Sequence, residues 1–216
     1  AYLRVVDYKT GSKNFQFADV LYGLNLQMFI YLFTLCDQAA ERYGVKELLP
    51  AGVLYFPAKR PDVEAPHGAA PEEIAGAADN KLKMSGMVAD DPDIIRGMER
   101  EAKGLFIPAQ LKGSGEPDAR STVASLAQFG ALKRHVDRLL RQMAATLRAG
   151  DIAAVPVAGL GYQPCSYCDY AGVCGFEKGD PQRWLNRMGK EEIWKAVVEG
   201  ENDGRPAMDG GAETGD

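Results

Sequence analysis

Runs of alternating and helically spaced apolar residues divide this chain into a short series of elements. Leu3 to Tyr8 reads as a strand, with the β-branched Val5 and Val6 running into a polar turn, Thr10-Gly11-Ser12. From Asp19 to Tyr43, Leu24, Met28, Tyr31, Leu32 and Leu35 recur at helical spacing and predict one long helix. Gly52 to Phe56 reads as a buried strand closed by Pro57. That strand–helix–strand order, with its long crossover, predicts an α/β fold. Residues 60–80 are rich in Pro, Ala and acids and read as a surface excursion. A short helix over Asp91–Lys103, capped at Asp90 or Asp91, precedes a strand over Leu105–Gln110, and Gly113 to Asp118 is a loop. The strongest helical pattern covers Ser121 to Arg148. Leu126, Phe129, Leu132, Val136, Leu139, Leu140, Met143 and Leu147 form its apolar stripe, and Gly150 is placed to end it.

Composition adds bounds. A chain of 216 residues with 46% hydrophobic content buries a core as one large domain, or as one with a subdomain. Its apolar runs are too short to span a membrane, and nothing at its start reads as a signal peptide, so a cytoplasmic location is expected. The net charge of −5 is concentrated at one end: Glu199, Glu201, Asp203, Asp209, Glu213 and Asp216 face a single base, Arg205. The rest of the chain is balanced, so overall charge neither favours nor excludes DNA. That Gly- and acid-rich tail is expected to be loosely held. On the polar face of the 121–148 helix, Lys133, Arg134, Arg138, Arg141 and Arg148 stand against Asp137. Such a face is either solvated surface or a wall for DNA phosphates, with Arg134, Arg138 and Arg141 as the contacts.

Two groups of residues carry candidate chemistry. Strand alternation puts Asp7 and Lys9 on one face, with Tyr8 opposite. Phosphodiester hydrolysis needs a divalent ion and an activated water. A carboxylate at a strand end can hold Mg2+ or Mn2+, a neighbouring backbone carbonyl can add a ligand, and a lysine two residues on can orient or deprotonate the water. In the following helix Gln27 and Tyr31 project from one face as i and i+4 partners. The second group is Cys165, Cys168 and Cys174, a C-x2-C-x5-C run among Pro164, Tyr167, Tyr170 and Phe176. Clustered cysteines in a cytosolic chain more often bind a metal or cluster than form disulfides, and zinc or a cuboidal iron–sulfur cluster takes four ligands. His67 and His135 lack ligand spacing to the trio. Cys36 is a formal fourth ligand, although its mid-helix position reads as a buried free thiol.

The run Asp7-Tyr8-Lys9-Thr10-Gly11, followed by a helix with Gln27 and Tyr31, resembles the RecB-like branch of the PD-(D/E)XK nucleases. The resemblance implies a restriction-endonuclease-like mixed sheet core flanked by helices, with an inserted subdomain and a C-terminal cysteine-cluster region. It implies Asp7 as a metal ligand, Lys9 as the catalytic lysine, and Gln27 and Tyr31 as residues lining the site. A C-x2-C-x5-C run after such a core is similar to that of AddB-type subunits of bacterial helicase–nucleases. There a far-upstream cysteine joins the trio on a structural [4Fe–4S] cluster. Lys83 to Val88, Gly104 to Pro108, the helix from Ser121 and Gly150 to Pro156 are similar too, and the likeness extends to about Trp184.

The chain then divides into a nuclease core over 1–59, an inserted or peripheral segment over 60–120, a basic helix and cysteine cluster over 121–180, and a C-terminal helix with the acidic tail over 181–216. The implied function is metal-dependent exonucleolytic cleavage of DNA by an ATP-dependent helicase–nuclease that processes double-strand breaks for recombinational repair. The implied cofactors are Mg2+ or Mn2+ and the [4Fe–4S] cluster; the implied partner is an AddA-type helicase–nuclease subunit. The family's other acidic metal ligand and its fourth cysteine would both precede Ala1. The chain is therefore expected to be truncated, with an incomplete cluster and little activity of its own. One alternative is a CRISPR-associated RecB-like exonuclease, which shares the motifs but is too compact for the 134 positions that separate Tyr31 from Cys165. Another is a non-catalytic module that binds DNA ends or a partner subunit. A zinc ribbon needs a second cysteine pair, which the chain lacks.

Overall fold

Gly23 and Asn25 adopt φ of 78° and 53°, and the helix expected over Asp19–Tyr43 breaks around them. In a computed structural model, which describes residues 1–11, 15–59, 61–177 and 179–202, that stretch is three helices. They are α1 (Phe17–Leu21), α2 (Gln27–Asp37) and α3 (Ala39–Tyr43). Leu24 N–H donates to the Asp19 carbonyl and Gly23 N–H to that of Val20, the paired bonds of a Schellman ending with glycine at its left-handed position. The break coincides with a boundary between two compact units. The first comprises Ala1–Gln16 and Asn25–Lys133, the second Phe17–Leu24 and Arg134–Asp216.

The first unit is built on a mixed sheet. Its strands are β1 (Tyr2–Lys9), β2 (Leu49–Pro57), β3 (Ser85–Ala89) and β4 (Val123–Ala124), hydrogen-bonded in that order. β1 and β2 are parallel, β2 and β3 antiparallel, β3 and β4 parallel. One face carries Asp7, Val53, Tyr55 and Met87 in register, and α2 packs on β1 and β2 with Met28, Phe29, Leu32 and Phe33 buried. The other face packs Leu54, Val88 and Val123 against Ile95, Ala102, Ile107 and Ala109, with Val6 at the margin. β2 and β3 approach closely at two glycines: a Cβ on Gly86 would collide with the Val53 carbonyl, and one on Gly52 would lie 2.5 Å from the Met87 oxygen.

The segment over 60–120 is thus only partly peripheral, because β3 lies inside the sheet. The peripheral part is α4 (Pro71–Lys81), which has no buried residue. α5 (Pro92–Met98) is capped by Asp91, whose Oδ1 accepts the Asp93 and Ile94 amides at 2.8 and 3.2 Å. It ends at Glu99 instead of running to Lys103. The strand expected over Leu105–Gln110 is an irregular loop for the same reason: the Glu99 carboxylate takes the amides of Leu105, Phe106 and Ile107, which a ladder would need. α6 (Leu126–Arg148) starts later than expected because Val123 and Ala124 enter the sheet. Ser125 and Gln128 form its reciprocal capping box, and Gly150 follows its end at φ 71°. The unit boundary falls within α6, between Lys133 and Arg134.

The second unit adds β5 (Val157–Ala158), α7 (Ala171–Cys174), β6 (Arg183–Trp184) and α8 (Lys190–Asn202) to α1 and the later part of α6. β5 and β6 pair in parallel and close the base of the cysteine-bearing segment. Phe17 of α1 and Trp194 of α8 pack with ring centroids 4.5 Å apart. Among the described residues no helix is long and apolar enough to cross a membrane. Ser12 of the turn after β1 and the acidic tail beyond Asn202 lie outside the described residues.

Candidate active site

β1 ends on its two candidate side chains, Asp7 and Lys9. Asp7 pairs with Tyr55 and Lys9 with Pro57, so both point to the α2 side of the sheet, while Tyr8 faces the other way and packs on Phe56 at 5.4 Å. Lys9 Nζ meets Asp7 Oδ2 at 2.5 Å and lies 5.8 Å from the centre of the buried Tyr55 ring. The Asp7 Oδ2 atom is shielded from solvent and takes no aligned hydrogen bond; the lysine approaches it as a charge, without hydrogen-bond geometry. A carboxylate oxygen shielded in that way suits a divalent cation, which asks for charge and an oxygen lone pair. Gln27 and Tyr31 also come together: Gln27 Nε2 donates to the Tyr31 hydroxyl at 3.0 Å on the exposed first turns of α2.

A profile of the PD-(D/E)XK nuclease superfamily matches residues 1–175. The chain belongs to this superfamily. Its mixed sheet with flanking helices agrees with the restriction-endonuclease-like core that the sequence implied. Among curated proteins, the ATP-dependent helicase/deoxyribonuclease B subunit of Ruminiclostridium cellulolyticum is 35% identical over 203 residues, covering 92% of this chain and 18% of that protein. The protein of the same name from Clostridium acetobutylicum is 34% identical over 202 residues, 91% of this chain and 17% of the relative. That of Acetivibrio thermocellus is 32% identical over 207 residues, 94% and 18% respectively. This superfamily member therefore spans less than a fifth of the length of these relatives.

The cysteines lie in the second unit. Cys165 is in a single 3-10 turn, Pro164–Tyr167, Cys168 caps that turn, and Cys174 ends α7. All three are exposed free thiols, beside exposed Tyr167, Tyr170 and Val173. Among the described residues no three His, Cys, Asp or Glu side chains are gathered to hold a metal ion, so the trio as folded is not a preformed ligand set. The loop before it is anchored by Tyr162, whose hydroxyl donates to Asp19 Oδ2 at 2.9 Å. Cys36 belongs to the first unit. Burial, then the neighbouring Asp37 carboxylate, raise its thiol pKa against the opposing charge of Lys133, so it is a weak source of thiolate.

The basic helix is not uniform. Arg134 and Arg141 are exposed, but Arg138 turns inward. Its Nη2 donates to Nδ1 of the fully buried His135 at 2.7 Å, and a Cβ on Gly200 of α8 would lie 2.7 Å from the same nitrogen. Because arginine only donates and a carbonyl only accepts, His135 carries its proton on Nε2 and gives it to the Leu21 carbonyl at 3.2 Å. Sequence reasoning passed over His135 as well as Asp19 and Glu99. The signal for His135 was present: it sits three residues after Leu132 and four before Leu139, inside the apolar stripe. Glu99 and Asp19 had no such mark: the Glu99 partners lie on an irregular loop six to eight residues on, and that of Asp19 comes from Tyr162.

Proposed function

We propose that this chain is the nuclease part of an AddB-type helicase–nuclease subunit, hydrolysing DNA phosphodiesters during the processing of double-strand breaks for recombination. The observation that carries this is the Asp7–Lys9 pair at the end of β1, in a chain matched by the PD-(D/E)XK profile. The likeness to helicase/deoxyribonuclease B subunits supports DNA as substrate, an AddA-type subunit as partner and the cytoplasm as the place of action.

A bound Mg2+ or Mn2+ supplies Lewis acidity at the scissile phosphate. Asp7 would hold such an ion through its shielded Oδ2, and Lys9 would orient the attacking water or take its proton. The Gln27–Tyr31 pair at the start of α2, the residues that the family resemblance puts in the site, would line the approach to it. Of the three arginines on α6, Arg134 and Arg141 are the ones whose exposure suits phosphate contact; Arg138 serves the His135 bond. The cysteine trio would provide three thiolates of a [4Fe–4S] cluster. Its C-x2-C-x5-C spacing and the exposure of all three thiols support that role, and ligation must draw them together.

The test is cleavage of a labelled DNA duplex by the longest form of the protein that carries this chain, with its partner subunit. Lys9→Ala is expected to lower Mg2+-dependent cutting by this site by about 100-fold or more, as loss of a general base does. Unchanged cutting would remove the catalytic assignment.

A further inference from the structure

The first unit holds a polar cleft, of about 220 Å3, whose lining includes Lys83, Gln110, Arg120, Ser121 and Thr122. It opens at the same end of the sheet as Asp7 and Lys9. Ser85 stands opposite Tyr55, and Tyr55 opposite Asp7, so the three share one row. β3 runs against β1, and the residues before Ser85, Lys83 among them, therefore continue past that row in the direction of Lys9. β4 runs with β3, so Arg120, which precedes Val123, ends on the same side. Two to three strand spacings put the cleft about 10–14 Å from β1.

Two features of this cleft go together. The first is charge. Lys83 is exposed, and the Arg120 side chain is 83% exposed. Asp118 engages Arg120 through Nε at 3.1 Å, and the terminal Nη1 and Nη2 have no partner among the described residues. The second is an exposed apolar pair on the loop that leads into the cleft lining at Pro108. Leu105 and Phe106 are 49% and 50% exposed, yet the loop that carries them is held from beneath. The Glu99 carboxylate accepts the amides of Leu105, Phe106 and Ile107 at 3.0, 2.9 and 3.3 Å. The Phe106 carbonyl accepts Met84 N–H at 2.8 Å, next to Lys83, and Ile107 is fully buried. Two cations lining one cleft, with a half-exposed phenylalanine on the loop tied to the residue after one of them, suit unpaired nucleotides: cations track the phosphates and an aromatic ring stacks a base.

We propose that this cleft binds single-stranded DNA, with phosphates on Lys83 and Arg120 and a base on Phe106, and leads the strand along the sheet end to Asp7 and Lys9. The proposal rests on the nuclease reading for its direction, but its binding test is independent of cleavage. The probe is a fluorescein-labelled oligothymidylate, titrated by anisotropy in EDTA over a series of salt concentrations.

Lys83→Ala with Arg120→Ala is expected to weaken binding about tenfold or more and to flatten the salt dependence by about 1.4 in log K against log salt, the loss of two single-strand phosphate contacts. Phe106→Ala is expected to weaken it about fivefold or more with the salt slope unchanged, and Phe106→Tyr to keep the parent affinity. A blunt duplex probe should be indifferent to Phe106→Ala. The charge control is Lys195→Ala on α8, which should leave binding unaltered. Equal losses from Lys195→Ala and the double variant, no loss from Phe106→Ala, or an equal loss from Phe106→Tyr would each overturn the proposal. Lys9→Ala separates the two readings: cutting that survives it ends the nuclease assignment, whereas the cleft stands or falls on the oligothymidylate titration alone.

Discussion

Glu99 illustrates how one side chain redirects a stretch of backbone. The residue is only 6% exposed. Burial alone raises its pKa, but the amides of Phe106, Leu105, Ile107 and Gly104 more than offset that and hold it below the ordinary glutamate value. A depressed folded-state pKa means the ionised form stabilises the fold. That stability is present in full above the unfolded pKa, near 4.3, and is lost as pH falls through the lower folded value. Glu99→Gln is therefore expected to cost about 1–3 kcal/mol at pH 7 in denaturant melts, with the gap between the two proteins closing at acid pH. A gap that stays constant down to acid pH would show that packing, not charge, sets the cost. That Asp7 shares a face with Lys9, and Gln27 with Tyr31, was legible because the alternation of a strand and the i, i+4 spacing of a helix are local. The inward turn of Arg138 was not, since it depends on a histidine one turn away being buried.

At the level of elements, periodicity found the strand ending in Asp7 and Lys9, the strand over Gly52–Phe56 and the long basic helix. It missed the break at Gly23, because the pattern of Leu24, Met28 and Leu32 continues across it while the backbone does not. It also missed β3, a five-residue strand with a glycine in it. That glycine makes sense only against its neighbour: Gly86 faces Leu54 where the β2 backbone passes too close for any Cβ. Gly86→Ala is expected to destabilise the protein by at least about 2 kcal/mol, since the obstruction is backbone and the φ of 150° disfavours a side chain. Thermal melting checks this, and the exposed Gly76 of α4, where a Cβ meets nothing within 4 Å, is the comparison site. Gly76→Ala should leave stability equal or higher, because alanine favours a helix.

For the molecule as a whole, the Asp7–Lys9 pair and the cysteine trio fall in different units. Cluster loading should therefore be separable from catalysis. Purified without oxygen, the longest form carrying this chain is expected to hold iron and acid-labile sulfide in equal amounts. Cys168→Ser should abolish both, whereas Lys9→Ala should retain both; elemental analysis and the visible spectrum report each. Zinc in place of iron, or no metal at all, would retire the cluster.

Local pattern alone was enough to recognise a superfamily core, a candidate Asp–Lys pair and a cysteine trio, because each depends on spacing within one strand, one helix or one loop. Which residues become buried partners was decided only when turns and loops outside the regular elements took their places. The Glu99 carboxylate, His135 and Asp19 acquire their roles from amides, carbonyls and hydroxyls that folding delivers, from as far along the chain as Tyr162. The cleft of Lys83 and Arg120 exists for the same reason: three strand pairings bring its residues to the end of the sheet where Asp7 and Lys9 stand.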